Sequence, residues 1–77
     1  MLLRYTYILR FFHRDSSEIE DFEHSDRAYA FEHFELFDAS DEDIYRELDL
    51  IEYDHDTATE KLLAIKQWKT EQDGEAL

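Results

Sequence analysis

Residues 3–11, Leu-Arg-Tyr-Thr-Tyr-Ile-Leu-Arg-Phe, alternate with a period of two that places Leu3, Tyr5, Tyr7, Leu9 and Phe11 on one face. Successive side chains of an extended chain point to opposite sides, so this spacing predicts a β-strand with one buried face. The other face, Arg4, Thr6, Ile8, Arg10 and Phe12, mixes aliphatic, aromatic and cationic groups. Such a strand must be paired within a sheet and covered, and 77 residues leave room for one core and one domain. A two-domain reading is excluded on size, which disfavours a large catalytic cleft between lobes.

The later segments supply the partners. Arg14-Asp15-Ser16-Ser17 offers turn chemistry, because short polar side chains hydrogen-bond their own backbone. Glu18 to Glu23 reads as an acidic edge strand returning from that turn. The same residues also fit a short helix, since Ile19 and Phe22 are three apart and Ser17 with Glu20 has the spacing of a capping box. Ser25 is the expected N-cap of a helix over 26–38, with Asp26 favourably placed in its first turn. Ala30, Phe31, Phe34 and Phe37 form its main apolar stripe, flanked by Tyr29, His33 and Leu36.

Residues 38–43 are a polar connection, and 46–53 are a third strand. There Leu48 and Leu50 share a face while Ile51 and Tyr53 fall on the other, which implies either a bulge or a partly covered second face. A turn over 54–59 leads to a fourth strand over 60–68, with Leu63 and Ile65 on one side and Leu62, Ala64 and Trp68 on the other. The sequence therefore predicts a single α+β domain over 1–70, followed by a polar tail over 71–77. Its architecture is a four-stranded, largely antiparallel sheet with one packed helix, in the order ββαββ.

Charge is concentrated in the middle of this chain. Residues 15–60 hold 18 carboxylates against Arg27 and Arg46, whereas residues 1–14 carry Arg4, Arg10 and Arg14 and no acid. The formal net charge is −13. Acidic chains of low hydrophobicity are often disordered, but a hydrophobic content of 43% with 16% aromatics predicts a folded domain. The absence of cysteine removes disulfide frameworks and thiolate metal sites, so an intracellular, cytoplasmic location is expected. Met1 to Phe12 is interrupted by Arg4 and Arg10 and is read as neither a signal peptide nor a membrane span.

Catalytic chemistry finds little support. Ser16, Ser17, Ser25 and Ser40 all fall at turn or cap positions with no activating motif around them. The only glycine is Gly74, so no glycine-rich loop cradles a phosphate. Close carboxylate pairs are expected by chance among 21 acids. His13, His24, His33 and His55 show no compact ligand spacing; His55 between Asp54 and Asp56 comes nearest to a cation site, and His33 reads as a packed histidine bonded to a neighbour. No catalytic residue, cofactor or resident metal is expected.

Direct nucleic-acid binding is disfavoured, because that affinity comes from neutralising phosphates with Lys and Arg. The mirror image of the rule is favourable: a body dense in carboxylates suits a groove built to hold phosphates, with fast, salt-dependent association. The contact candidates are Glu18, Glu20, Asp21 and Glu23 in the second segment, Asp41, Glu42 and Asp43 in the connection, and Asp54 and Asp56 at the hairpin tip. Tyr45, Tyr53 and Trp68 are the aromatic anchors expected outside the core.

The opening strand Arg4 to Phe12, the helix start Asp26-Arg27-Ala28-Tyr29-Ala30-Phe31, and the hairpin from Leu48–Asp54 to Leu63–Lys66 resemble small proteins of phages and other mobile elements in Gram-positive bacteria. In size and acidity the chain is similar to type II anti-CRISPR proteins. The resemblance is an ordering of elements over residues 4 to 68 and assigns no role to any single residue. It implies a non-catalytic inhibitor that binds an RNA-guided Cas effector nuclease, either in its nucleic-acid channel as a DNA mimic or on a domain that must move for cleavage. The alternatives are a homodimeric regulatory or structural protein of a mobile element, and a metal-binding protein. The expected partner is thus a basic protein, with no direct nucleic-acid or membrane contact, bound by a monomer or a homodimer.

Overall fold

The computed structural model describes residues 3–68. Four strands, β1 (Tyr5–His13), β2 (Ile19–His24), β3 (Tyr45–Asp54) and β4 (Thr59–Gln67), form one sheet in the order β2-β1-β3-β4. Every neighbouring pair is antiparallel. A single helix, α1 (Arg27–Glu35), connects β2 to β3 and packs on one face of the sheet, with a 3-10 turn over Ala39–Asp41 after it. This is the α+β arrangement ββαββ, and the acidic second segment is an edge strand. The assigned tail, residues 71–77, lies outside the described residues.

The alternation in β1 determines the layering. Tyr7, Leu9 and Phe11 project under the helix and join Leu48 and Leu50 of β3 with Ala30 and Phe34 of α1 in one buried cluster. Leu9, Leu48 and Leu50 are fully buried, and burying a side chain of this size contributes about 1.5–3 kcal/mol. Of the expected apolar stripe, Ala30, Phe31 and Phe34 lie on the helix and Phe37 packs on the core just beyond its end, while the flank is left open, with Tyr29 66% and Leu36 76% exposed.

Both helix ends differ from expectation. The N-cap is Asp26 rather than Ser25: its carboxylate accepts from the amides of Ala28 (2.8 Å) and Tyr29 (3.2 Å), a reach that Ser25 lacks from one residue earlier. The helix stops at Glu35, three residues short of the expected end. Lys66 Nζ, on the helix side of β4, donates to the carbonyls of Phe34 (2.8 Å) and Phe37 (2.7 Å), satisfying acceptors left open where the helix ends. Asp38 and Asp41 then close a reciprocal capping box around the 3-10 turn.

The parity change in β3 has its counterpart on β4. Leu50 opposes Ala64 and Ile51 opposes Leu62, so Leu63 is the extra residue, while β3 keeps an unbroken register with β1 through the same positions. The bulge therefore exchanges Leu62 and Leu63 between the expected faces of β4, while Ala64 and Trp68 stay opposite Ile65. Leu63, Ala64 and Trp68 pack towards the core, whereas Leu62 and Ile65 are exposed on the helix-free face. That second face is partly covered as well, because Ile8 and Ile51 stand opposite one another and are both buried. Arg10 reaches across it from Asp21 on β2 (2.9 Å) to Glu60 on β4 (3.3 Å). Among the described residues, no helix is long and apolar enough to cross a membrane.

Candidate functional site

Strand order brings together acids that are far apart in the sequence. The β1–β2 hairpin and the start of β3 lie at the same end of the sheet, since His13 pairs with Tyr45. The connection before β3 is bonded to the hairpin through Arg14 N–H to the Ile44 carbonyl (2.9 Å). Glu18 and Glu20 are thereby gathered with Asp41, Glu42 and Asp43. Arg14, on the same hairpin, is half-buried and donates to the backbone carbonyls of Glu42, Tyr45 and Trp68. Arg46 bonds the His13 carbonyl (3.3 Å) and lies over the Phe12 ring. Among the described residues, none of Glu18, Asp41, Glu42 and Asp43 pairs with an arginine or lysine; Glu20 contacts only His13.

This end is anionic where it meets Tyr45. Burial, followed by the charges of Glu20 and Asp41, pushes the Tyr45 hydroxyl above the usual phenol range. Asp41 has a structural duty too, since its Oδ2 accepts from the Asp38 amide (2.9 Å). Ser40 hydrogen bonds hold Asp38 below the ordinary carboxylate range.

Asp54 and Asp56 belong to the opposite end, at the β3–β4 hairpin. Arg4 joins Asp54 (3.2 Å) and Asp56 (3.4 Å), and its hydrogen bond holds Asp54 below the usual carboxylate range. His55 Nε2 is bonded to Thr6 Oγ1 (2.9 Å), and the His55 amide donates to the Arg4 carbonyl (2.7 Å). The tip weighed as a cation site therefore has both its aspartates paired with Arg4 and its imidazole bonded to Thr6.

Alternation puts the remaining acids of β2 on the face opposite to that of Glu20. Asp21 lies on the helix-free face, paired with Arg10, and Glu23 is exposed on that same face. Asp49, opposite Arg10, has a buried Oδ1 with no hydrogen-bond partner. Burial and the neighbouring Glu47 raise its pKa to about 7, against the lowering effect of Arg10. On the helix side, His24 Nε2 and His33 Nδ1 meet at 2.8 Å and line a cleft of about 280 Å³ with Tyr29, Glu32 and Leu36. His33 is thus a packed histidine bonded to a neighbour, and burial followed by the charge of His24 lowers its pKa.

The expected anchors are corrected in part. Tyr45 and Trp68 are partly buried against the core, because the 3-10 turn folds back over them and the Asp38 carbonyl accepts from Trp68 Nε1 (2.6 Å). Tyr53 is half-buried on the helix-free face beside His55. The exposed apolar groups are instead Ile44 near the acidic end, Tyr29, Leu36 and Phe22 on the helix side, Ile19, Leu62 and Ile65 on the other face, and Leu3 and Tyr5 around the start of β1, where the expected buried face runs out beyond the helix. Sequence periodicity alone missed Ile44, although its place directly after Asp41-Glu42-Asp43 is a usable signal for an apolar group inside an acidic patch. Comparison with protein-family models, curated proteins and solved structures gives no match.

Proposed function

We propose that this protein is a small, non-catalytic inhibitor of the anti-CRISPR kind. In this reading it binds a type II effector nuclease in the cytoplasm of a bacterial host cell, and its acidic end occupies a channel built for nucleic acid. The observation that carries the reading is the convergence of Glu18 and Glu20 with Asp41, Glu42 and Asp43 at one end of the sheet, while Arg14 is committed to backbone carbonyls. Carboxylates without cationic partners keep their charge available to a basic surface and steer association. Ile44, exposed beside them, supplies an apolar contact of the kind that electrostatic complementarity alone does not provide. The resemblance to type II anti-CRISPR proteins supplies the class of target.

The test is cleavage of target DNA by guide-loaded type II effector nucleases from several bacteria, with and without excess protein, across a salt series. Inhibition that fades as salt rises supports occupation of a phosphate channel, because exposed charges are screened within about 8 Å at physiological ionic strength. Failure to inhibit any effector contradicts the reading. A second reading, a homodimeric regulator of a mobile element, is favoured by one observation: Ile19, Leu62 and Ile65 are all exposed on the helix-free face. A salt-independent dimer in solution supports it, and a monomer at both low and high salt contradicts it.

A further inference from the structure

The β1–β2 hairpin carries a group of side chains that sequence spacing did not single out. His13 N–H donates to the Glu18 carbonyl (3.1 Å), which sets those two residues opposite one another beyond the last ladder pair, Phe12 and Ile19. Glu20 lies two residues further on and therefore projects from the same face. One ligand atom from each of His13, Glu18 and Glu20 lies within 4.8 Å of the other two, and His13 Nε2 is in contact with Glu20 Oε1. The Tyr45 ring meets the imidazole edge-on at 5.2 Å and orients it. Arg14 and Arg46, the cations that would ordinarily neutralise such a pair of glutamates, are instead engaged with backbone carbonyls.

We propose that His13, Glu18 and Glu20 bind a divalent first-row transition ion, zinc being the probe of choice. One imidazole and two carboxylates make a mixed nitrogen and oxygen donor set that suits zinc, manganese or cobalt, whereas magnesium and calcium favour oxygen alone. The two carboxylates balance the charge of the ion, and solvent fills the positions left open. Glu18 is exposed, so its side chain rotates freely to bring an oxygen to the roughly 2.0–2.2 Å that zinc requires. The inference is independent of any inhibitory activity.

Calorimetric titration of metal-stripped protein with zinc chloride tests it, together with the imidazole NMR signals of His13. Saturation at one equivalent is expected, with the His13 signals shifting and excess magnesium failing to compete. Glu18→Gln and His13→Gln should each weaken binding by more than the roughly 10–100-fold typical of losing an outer-shell partner. Asp54→Asn with Asp56→Asn, at the far end, should leave affinity unchanged. Absence of binding overturns the proposal, as does wild-type affinity in Glu18→Gln or equal weakening by the far-end pair, which would indicate a diffuse acidic cloud. Glu18 is exposed and its change removes only charge; should His13→Gln not fold, unshifted His13 signals in the wild-type protein overturn the site just as directly.

Discussion

The two ends of the sheet are built from the same kind of residue and behave differently. At the β3–β4 tip, Asp54 and Asp56 are held by Arg4, which arrives from a segment 50 residues away in sequence, and His55 is tied to Thr6. At the other end, Glu18, Asp41, Glu42 and Asp43 have no arginine or lysine partner among the described residues, because Arg14 is turned inward. The number of acids, five at one end and two at the other, is not the whole difference. What further distinguishes them is whether the fold delivers a guanidinium to the carboxylates or to the backbone beside them.

The largest expected effect removes the support shared by both ends. Phe34 is 4% exposed in the core between α1 and the sheet, and Phe34→Ala should cost about 3–5 kcal/mol, enough to unfold a domain of this size. Loss of amide dispersion in NMR spectra is the readout; a well-folded variant would show that the helix is held by something other than this packing.

Next in size is Arg14→Met, which strands the part-buried carbonyls of Tyr45 and Trp68 at the acidic end and should destabilise by about 2–3 kcal/mol in urea unfolding. The matched change at the far end, Arg4→Met, disrupts an exposed pair and should leave the unfolding midpoint close to that of the wild type. Equal losses would erase the distinction between an arginine that builds an end and one that neutralises it.

A smaller effect concerns the face between the ends. The pKa of Asp49, raised to about 7, lies above its unfolded value, so the folded state binds the proton more tightly. The associated stability is fully present below the unfolded carboxylate pKa of about 3.9 and is lost as pH rises to about 7. Asp49→Asn should therefore stabilise the protein at pH 8 by about 1–2 kcal/mol once screening by adjacent solvent is allowed for, and give no gain at pH 4. Thermal unfolding at the two pH values reads this directly; a gain of the same size at both would assign it to packing instead of charge.

Much of this fold is legible in the sequence, for identifiable reasons. Period-two alternation over Tyr7, Leu9 and Phe11 in β1 and the Ala30, Phe31 and Phe34 stripe of α1 are local patterns, and they survive into the structure. The parity switch at Leu50 and Ile51 was also visible, but the strand carrying the extra residue was not. That depends on β1 holding its register with β3 while Leu63 of β4 yields. The helix boundary moved for a similar reason, since Lys66, more than 30 residues further on, takes the Phe34 carbonyl.

The candidate site was legible only as a set of acidic stretches. Which of them meet follows from the order β2-β1-β3-β4, a long-range property that composition does not encode. Tyr45 and Trp68 were misplaced for the same reason: the 3-10 turn that brings the Asp38 carbonyl onto Trp68 Nε1 is a tertiary contact. The grouping of His13 with Glu18 and Glu20 likewise needs a hairpin register before it can be seen.

The most direct measurement neutralises the two ends separately and asks which one inhibits. Asp41→Asn, Glu42→Gln and Asp43→Asn combined, and separately Asp54→Asn with Asp56→Asn, are compared with the wild type for the protein concentration that half-inhibits cleavage by a susceptible guide-loaded type II effector. The account predicts that the first set raises this concentration by about tenfold or more, equivalent to about 1.4 kcal/mol, and that the second leaves it unchanged. Equal losses from both sets, or a loss confined to the Asp54 and Asp56 variant, would contradict the claim that the partner reads the end whose carboxylates lack arginine partners.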